Sequence, residues 1–191
     1  MDLLPPEPER TGGRPPPKVD FVTANVTSYD TLLKYVETLE SDFVAVQEAK
    51  VTEDMVEAYK LVASGKGYQA EVAPCEGSGN KKKAGVVCMW KQEFSLAGLP
   101  SILVPQRAVS ITPWINGFGY VMFIAAYGYP GDRMNDEGDM DNLLAKVTDH
   151  AIQSGLPFMI AADFDQPPDI IRQWLYAHGV EACVRHRAFY L

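Results

Sequence analysis

The chain has 191 residues and 21.1 kDa, of which 47% are hydrophobic, 22% charged and 10% aromatic, the profile of a globular protein with room for one large core. No apolar run approaches the ~20 residues needed to span a bilayer, and the start Met1-Asp2-Leu3-Leu4-Pro5-Pro6 lacks the basic and apolar regions of a secretory signal, so an intracellular site, nucleus or cytoplasm, is expected. Seventeen basic residues against 25 acidic ones give a net charge of −8. That excludes binding of polyanions by bulk electrostatics, so a phosphate-bearing substrate must meet its positive charge in a metal ion or a local basic patch. Cys75, Cys88 and Cys183 are widely spaced, show no zinc-site spacing and read as reduced thiols.

Residues 1–17 hold six of the 14 prolines and almost nothing apolar after Leu4. Such a segment cannot offset its ordering entropy by burial and is expected to be a disordered tail, leaving 18–191 as the folded domain. A short β-branched strand is expected over Val19 to Asn25, then a helix opened by Ser28 with Leu32, Leu33, Val36 and Leu39 on one face. Phe43 to Val46 reads as a buried strand. Thr52 is the expected cap of a second helix that turns Met55, Val56, Tyr59 and Val62 inward. Gly67 to Ala73, Gly85 to Trp90 and Arg107 to Pro113 read as strands, as does the strongly apolar Tyr120 to Ala126. A helix follows from about Glu137 to Ser154, with Leu143, Leu144, Val147 and Ile152 inward, then a buried strand Phe158 to Ala162. A helix over Ile170 to Tyr176 and a last strand over Val180 to Val184 complete the pattern. The mixture of alternating β and α with hairpin-like middle strands predicts a layered α/β fold and not a doubly wound dinucleotide domain.

Glycine-rich nucleotide fingerprints, a GxSxG elbow and HExxH are all absent from the sequence, which argues against the classes they mark. Polar residues instead end the apolar strands. Asn25 closes the first, Gln47-Glu48 the second, Tyr127 the strand Phe123 to Ala126, and Asp163-Phe164-Asp165 the strand Phe158 to Ala162. Strand ends are rigid platforms on which such side chains can converge. Carboxylate and amide oxygens of this kind suit Mg²⁺.

The ordered set of Asn25, Gln47-Glu48, Gly85-Val86-Val87, Tyr127 and Ala162-Asp163-Phe164-Asp165-Gln166-Pro167 resembles the endonuclease/exonuclease/phosphatase (DNase I-like) superfamily over Val19 to about Trp174. The resemblance implies a four-layer α/β/β/α sandwich with its last part missing. It also implies Mg²⁺, or Mn²⁺ in its place, held by Glu48 and Asn25. Asp163 would orient and help deprotonate the attacking water, Tyr127 would hydrogen-bond the scissile phosphate, and Asp165 would hold the phosphate or leaving group. The implied function is Mg²⁺-dependent phosphodiester hydrolysis, nuclease-like, of the abasic or retroelement endonuclease class. Its substrate would be a nucleic acid, DNA first, or another phosphoester.

Two departures bear on activity. Asp165 stands where the family carries a neutral Asn, and its charge repels a phosphate unless a cation offsets it. The family's closing Asp-His pair has no counterpart after Asp165, where Asp169, His178, Glu181 and His186 do not form one. Asp149-His150 has the right letters but lies late in a helix, where a histidine is explained by the helix dipole. Two alternatives follow: a catalytically inactive remnant acting as a binding module, and a phosphatase for lipid or inositol head groups. Lys81-Lys82-Lys83 reads as a solvated loop tip, with contact to a nucleic-acid backbone as the alternative, Arg107 and Arg133 are further candidates for phosphate contact, and Trp90, Trp114 and Trp174 read as packing residues.

Overall fold

The computed structural model describes residues 18–26, 28–77, 83–129 and 138–180. The Pro-rich segment 1–17, Lys81 and Lys82, Arg133, and 181–191 with His186 lie outside the described residues. In chain order the elements are β1 (Phe21–Asn25), α1 (Tyr29–Thr38), β2 (Phe43–Gln47), α2 (Val56–Gly65), β3 (Tyr68–Ala73) and β4 (Val86–Lys91). There follow β5 (Ser101–Val104), β6 (Ala108–Ile111), β7 (Trp114–Ile115), β8 (Gly119–Tyr120), β9 (Met122–Tyr127), α3 (Asp139–Gln153), β10 (Phe158–Asp163) and α4 (Pro168–Ala177).

Two four-stranded sheets are formed, ordered β1-β2-β4-β3 and β10-β9-β6-β5. β1 runs parallel to β2 and β9 parallel to β10, each pair joined through a helix, while the remaining pairs of these sheets are antiparallel. β2 and β9 are buried along their whole length, as expected of strands covered on both faces.

Side-chain alternation sorts these strands into layers. Val44, Val46, Val72, Val87 and Met89 pack under α1 and α2 against Leu32, Val36, Tyr59 and Ala63. The odd positions of β2, Phe43 and Ala45, face the other sheet and meet Val86, Cys88, Val109, Ile111, Phe123 and Ala125. Ala108, Ile124 and Ala126 turn outward to Leu143, Leu144, Val147, Ile171 and Leu175 of α3 and α4. The architecture is therefore a four-layer α/β/β/α sandwich. Among the described residues no helix is long and apolar enough to cross a membrane.

Several local expectations are corrected. Val62 is 38% exposed and Ile152 51% exposed, because the stripes that reach the sheets run through Tyr59 and Ala63 in α2 and through Leu144, Val147 and Ala151 in α3. At 3.6 residues per turn, the residue beside each stripe's last member stands about 100° away from it. Thr52 makes no side-chain cap bond; a 3-10 turn over Glu53–Met55 leads into α2 instead. Ser28 does cap α1, its hydroxyl accepting from the Thr31 N–H at 3.1 Å. Trp90 is buried, and the Trp174 indole donates to Asp141 Oδ1 at 2.6 Å.

The inter-sheet aromatic stack of Phe43 with Phe123, centroids 4.8 Å apart, predicts that Phe43→Ala costs about 3–5 kcal/mol, read as a lower urea midpoint. Val62→Lys and Ile152→Lys are expected to change stability by no more than about 0.5 kcal/mol.

Candidate active site

The strand registers bring the ends of five strands together. Asn25 is the Cα partner of Gln47, Gln47 of Val86, and Tyr127 of Asp163. Asn25, Gln47, Tyr127 and Asp163 share the parity of the inner-face positions on their strands, so all four point between the sheets rather than toward the helices.

Gln47 is buried and acts as a bolt. Its Nε2 donates to the Ala161 carbonyl of the opposite sheet at 3.3 Å, while its Oε1 accepts from the Thr23 hydroxyl at 3.0 Å. The chain then turns sharply: Glu48 has φ 55° and Lys50 φ 53°, left-handed conformations that cost an L-residue about 1–2 kcal/mol each. The Ala49 N–H donates to the Gly85 carbonyl at 3.1 Å. Gly85 is needed here, since a Cβ on it would stand 3.0 Å from Cys75 Cβ and 3.3 Å from the Lys50 nitrogen at φ +94°. The turn lifts Glu48 off the strand and over the cleft.

Glu48 is held from several sides. The Tyr127 hydroxyl donates to its Oε1 at 2.7 Å and Lys50 Nζ lies 3.1 Å from its Oε2. Burial pushes the Glu48 carboxyl up, but the hydrogen bonds from Tyr127, Lys50 and Asn25, with the Lys50 charge, together hold it below its ordinary value. The Tyr127 phenol is pushed well up, first by burial and then by Glu48 and the Asp163 charge, with Arg107 opposing. It is therefore a neutral hydrogen-bond donor.

Asn25 joins the two carboxylates. Its Nδ2 donates to Asp163 Oδ2 at 2.8 Å, and its amide also helps to lower the Glu48 carboxyl pKa. Two carboxylates on one side require the amide nitrogen to face them. That leaves Asn25 Oδ1 buried without a partner, a state that costs about 1–3 kcal/mol. The other Asp163 oxygen accepts from the Asp165 N–H at 3.2 Å, and Asp165 itself is exposed at φ 51°.

Arg107 precedes β6 beside this group, its guanidinium 5.1 Å from the Tyr127 ring centroid and 4.2 Å from that of Tyr129. Of the five residues expected from the sequence, the side chains of Asn25, Glu48, Tyr127 and Asp163 lie at one end of the sandwich, while Asp165 is exposed and is joined to them through its backbone N–H. Lys50 was not among them; its only signal is its place two residues after Glu48. Asp149-His150 does not join the site, since the His150 Nε2 lies 3.4 Å from Ser110 Oγ in the α3–β6 layer. A separate surface cavity of about 430 Å³, at the other end of β1 and β2, is lined by Lys18, Asp42, Glu93 and Trp114 and contains no strand-end site residue.

Amide and carboxylate oxygens are hard ligands of the kind Mg²⁺ takes, and this ion binds through few protein groups while keeping several waters; Asn25 turns its Nδ2 toward Asp163, so its buried Oδ1 would face an ion beside Glu48 only with the amide turned over. Among the described residues no three His, Cys, Asp or Glu side chains gather into a metal-holding group.

Ionised Glu48 has a lowered folded pKa, so its contribution to stability is full above its ordinary value of 4.5 and is lost as pH falls through the folded value. Glu48→Gln is therefore expected to lose less melting temperature than wild type between pH 7 and pH 3. A parallel loss would contradict the bonding described.

No protein-family model matches the chain, and no curated protein matches it in sequence. Its fold is similar to that of ANGEL2, a 2′,3′-cyclic phosphatase, in complex with adenosine-2′,3′-vanadate: TM-score 0.58, 18% identity, 84% of this chain and 57% of that one. The catalytic domain of Xenopus laevis APE2 superposes with TM-score 0.56 at 15% identity, over 83% of this chain and 67% of that one. The 3′ phosphatase NExo from Neisseria, bound to product DNA hairpin, gives TM-score 0.55 at 20% identity over 83% and 69%. The chain thus spans little more than half the length of ANGEL2.

Proposed function

On the DNase I-like fold of the endonuclease/exonuclease/phosphatase superfamily, we propose that this chain is a Mg²⁺-dependent phosphoesterase of nuclease type, cleaving phosphodiesters in DNA or a related phosphoester. The observation that carries the reading is the meeting of Asn25, Glu48, Tyr127 and Asp163 between the two sheets. Structurally similar proteins include an AP endonuclease, a 3′-5′ exonuclease and a 2′,3′-cyclic phosphatase.

Glu48 and Asn25, with the amide turned so that Oδ1 faces the ion, would hold Mg²⁺, or Mn²⁺ in its place. The bound ion would supply positive charge to phosphate oxygens as negative charge builds on them. Asp163, fixed by Asn25 and the Asp165 N–H, aims a water in line with the phosphorus and takes its proton. The water oxygen forms a bond to phosphorus while the bond to the leaving oxygen breaks, and the leaving group departs with the electron pair. The neutral Tyr127 hydroxyl donates to a non-bridging phosphate oxygen, exchanging its Glu48 partner for the substrate. Asp165 flanks the leaving side, where its charge needs a nearby cation.

The Glu48–Lys50 pair, at 3.1 Å, favours a second reading in which the carboxylate is neutralised within the chain and the fold serves as a non-catalytic binding module. Hydrolysis of abasic DNA and of bis(4-nitrophenyl) phosphate with and without Mg²⁺ separates the two. The catalytic reading predicts Mg²⁺-dependent turnover, lowered at least ~100-fold in Glu48→Gln and in Asp163→Asn. It also predicts a rise in melting temperature with Mg²⁺ that Glu48→Gln lacks. Absence of both effects in wild type selects the binding module.

A further inference from the structure

We infer that Arg107 is the anion subsite of this cleft, receiving a negatively charged phosphate oxygen of the substrate beside the Tyr127 hydroxyl. The inference rests on the phosphoesterase reading and gives it the cation that the protein itself contributes.

The cleft otherwise presents negative charge. Glu48 and Asp163 meet through Asn25, and exposed Asp165 follows two residues later. In a chain of net charge −8, no general field draws in a phosphate, so a local cation has to. Among the described residues, Lys50 at these strand ends is matched by Glu48 at 3.1 Å. Arg107 makes no ion pair among the described residues, and its charge is felt at Tyr127, where it opposes the carboxylates.

Arg107 is also held in place. Its Nη1 donates to the Gly128 carbonyl, its plane lies against the Tyr129 ring, and its own carbonyl accepts from the Tyr127 N–H at 2.8 Å. The segment it grips is itself tied closely to the end of β10. The Gly128 N–H donates to the Asp163 carbonyl at 2.7 Å, and a Cβ on Gly128 would stand 2.8 Å from Phe164 Cα. A guanidinium has five N–H donors in a fixed fork, so the Gly128 bond leaves donors for a phosphate. A fork fixed beforehand loses little side-chain entropy on binding. Tyr129 thus acts as a positioning residue, setting the plane in which Arg107 meets its ligand.

Inorganic phosphate is the probe, with binding to the full chain followed by calorimetry in metal-free buffer and folding checked by melting. Wild type is expected to bind, Arg107→Gln at least ~10-fold more weakly and Arg107→Lys at an intermediate level, because lysine keeps the charge but loses the fork. Tyr129→Leu, which keeps Arg107 itself, is expected to weaken binding several-fold. If Arg107→Gln loses its melting transition, the lysine and Tyr129 variants decide. Unchanged phosphate affinity in the folded variants, or no binding by wild type, overturns the inference even where diester hydrolysis is seen. Arg107-dependent phosphate binding without any hydrolysis supports the subsite and removes the hydrolase reading.

Discussion

The Asn25 side chain ties the two sheets together at the cleft, and the remaining geometry of the site depends on that tie. It comes from β1 in one sheet and donates to Asp163 on β10 in the other, while the same amide helps to lower the pKa of the Glu48 carboxyl at the bend after β2. Gln47 repeats the device one strand over, from β2 to the Ala161 carbonyl. The aromatic stack of Phe21, Phe43 and Phe123 supplies the packing beneath. Apolar contact alone tolerates sliding of one sheet over the other; directional bonds at the rim fix the register in which oxygen atoms meet.

The local cost of this arrangement is visible in the backbone and in one orphaned atom. Glu48, Lys50 and Asp165 adopt left-handed conformations, and Asn25 Oδ1 lies buried without a donor. Strain and unsatisfied polarity of this kind gather where a structure is shaped for a ligand.

Much of this was legible in the sequence, for a physical reason. The apolar runs of β2, β9 and β10 are unambiguous, each ends on a polar residue, and strand alternation sends positions 25, 47, 127 and 163 to the same face once their registers are known. What the sequence could not show was the turn that carries Glu48 off its strand, since a left-handed conformation at a glutamate has no propensity signal. Lys50 was missed for the same reason: its reach back to Glu48 follows from that turn. Val62 and Ile152 misled because an apolar residue bordering a helical stripe satisfies the periodicity without reaching the sheet. The short strand Ser101–Val104, with its first two residues exposed, carries too little burial to stand out.

The most direct test of the account is a double-mutant cycle for unfolding between Asn25→Ala and Asp163→Ala, measured by urea denaturation at neutral pH. A hydrogen bond to a charged group predicts a coupling of about 1.5–3 kcal/mol. Additive effects, with no coupling between the two positions, would mean that the sheets do not meet through this bond and would contradict the account.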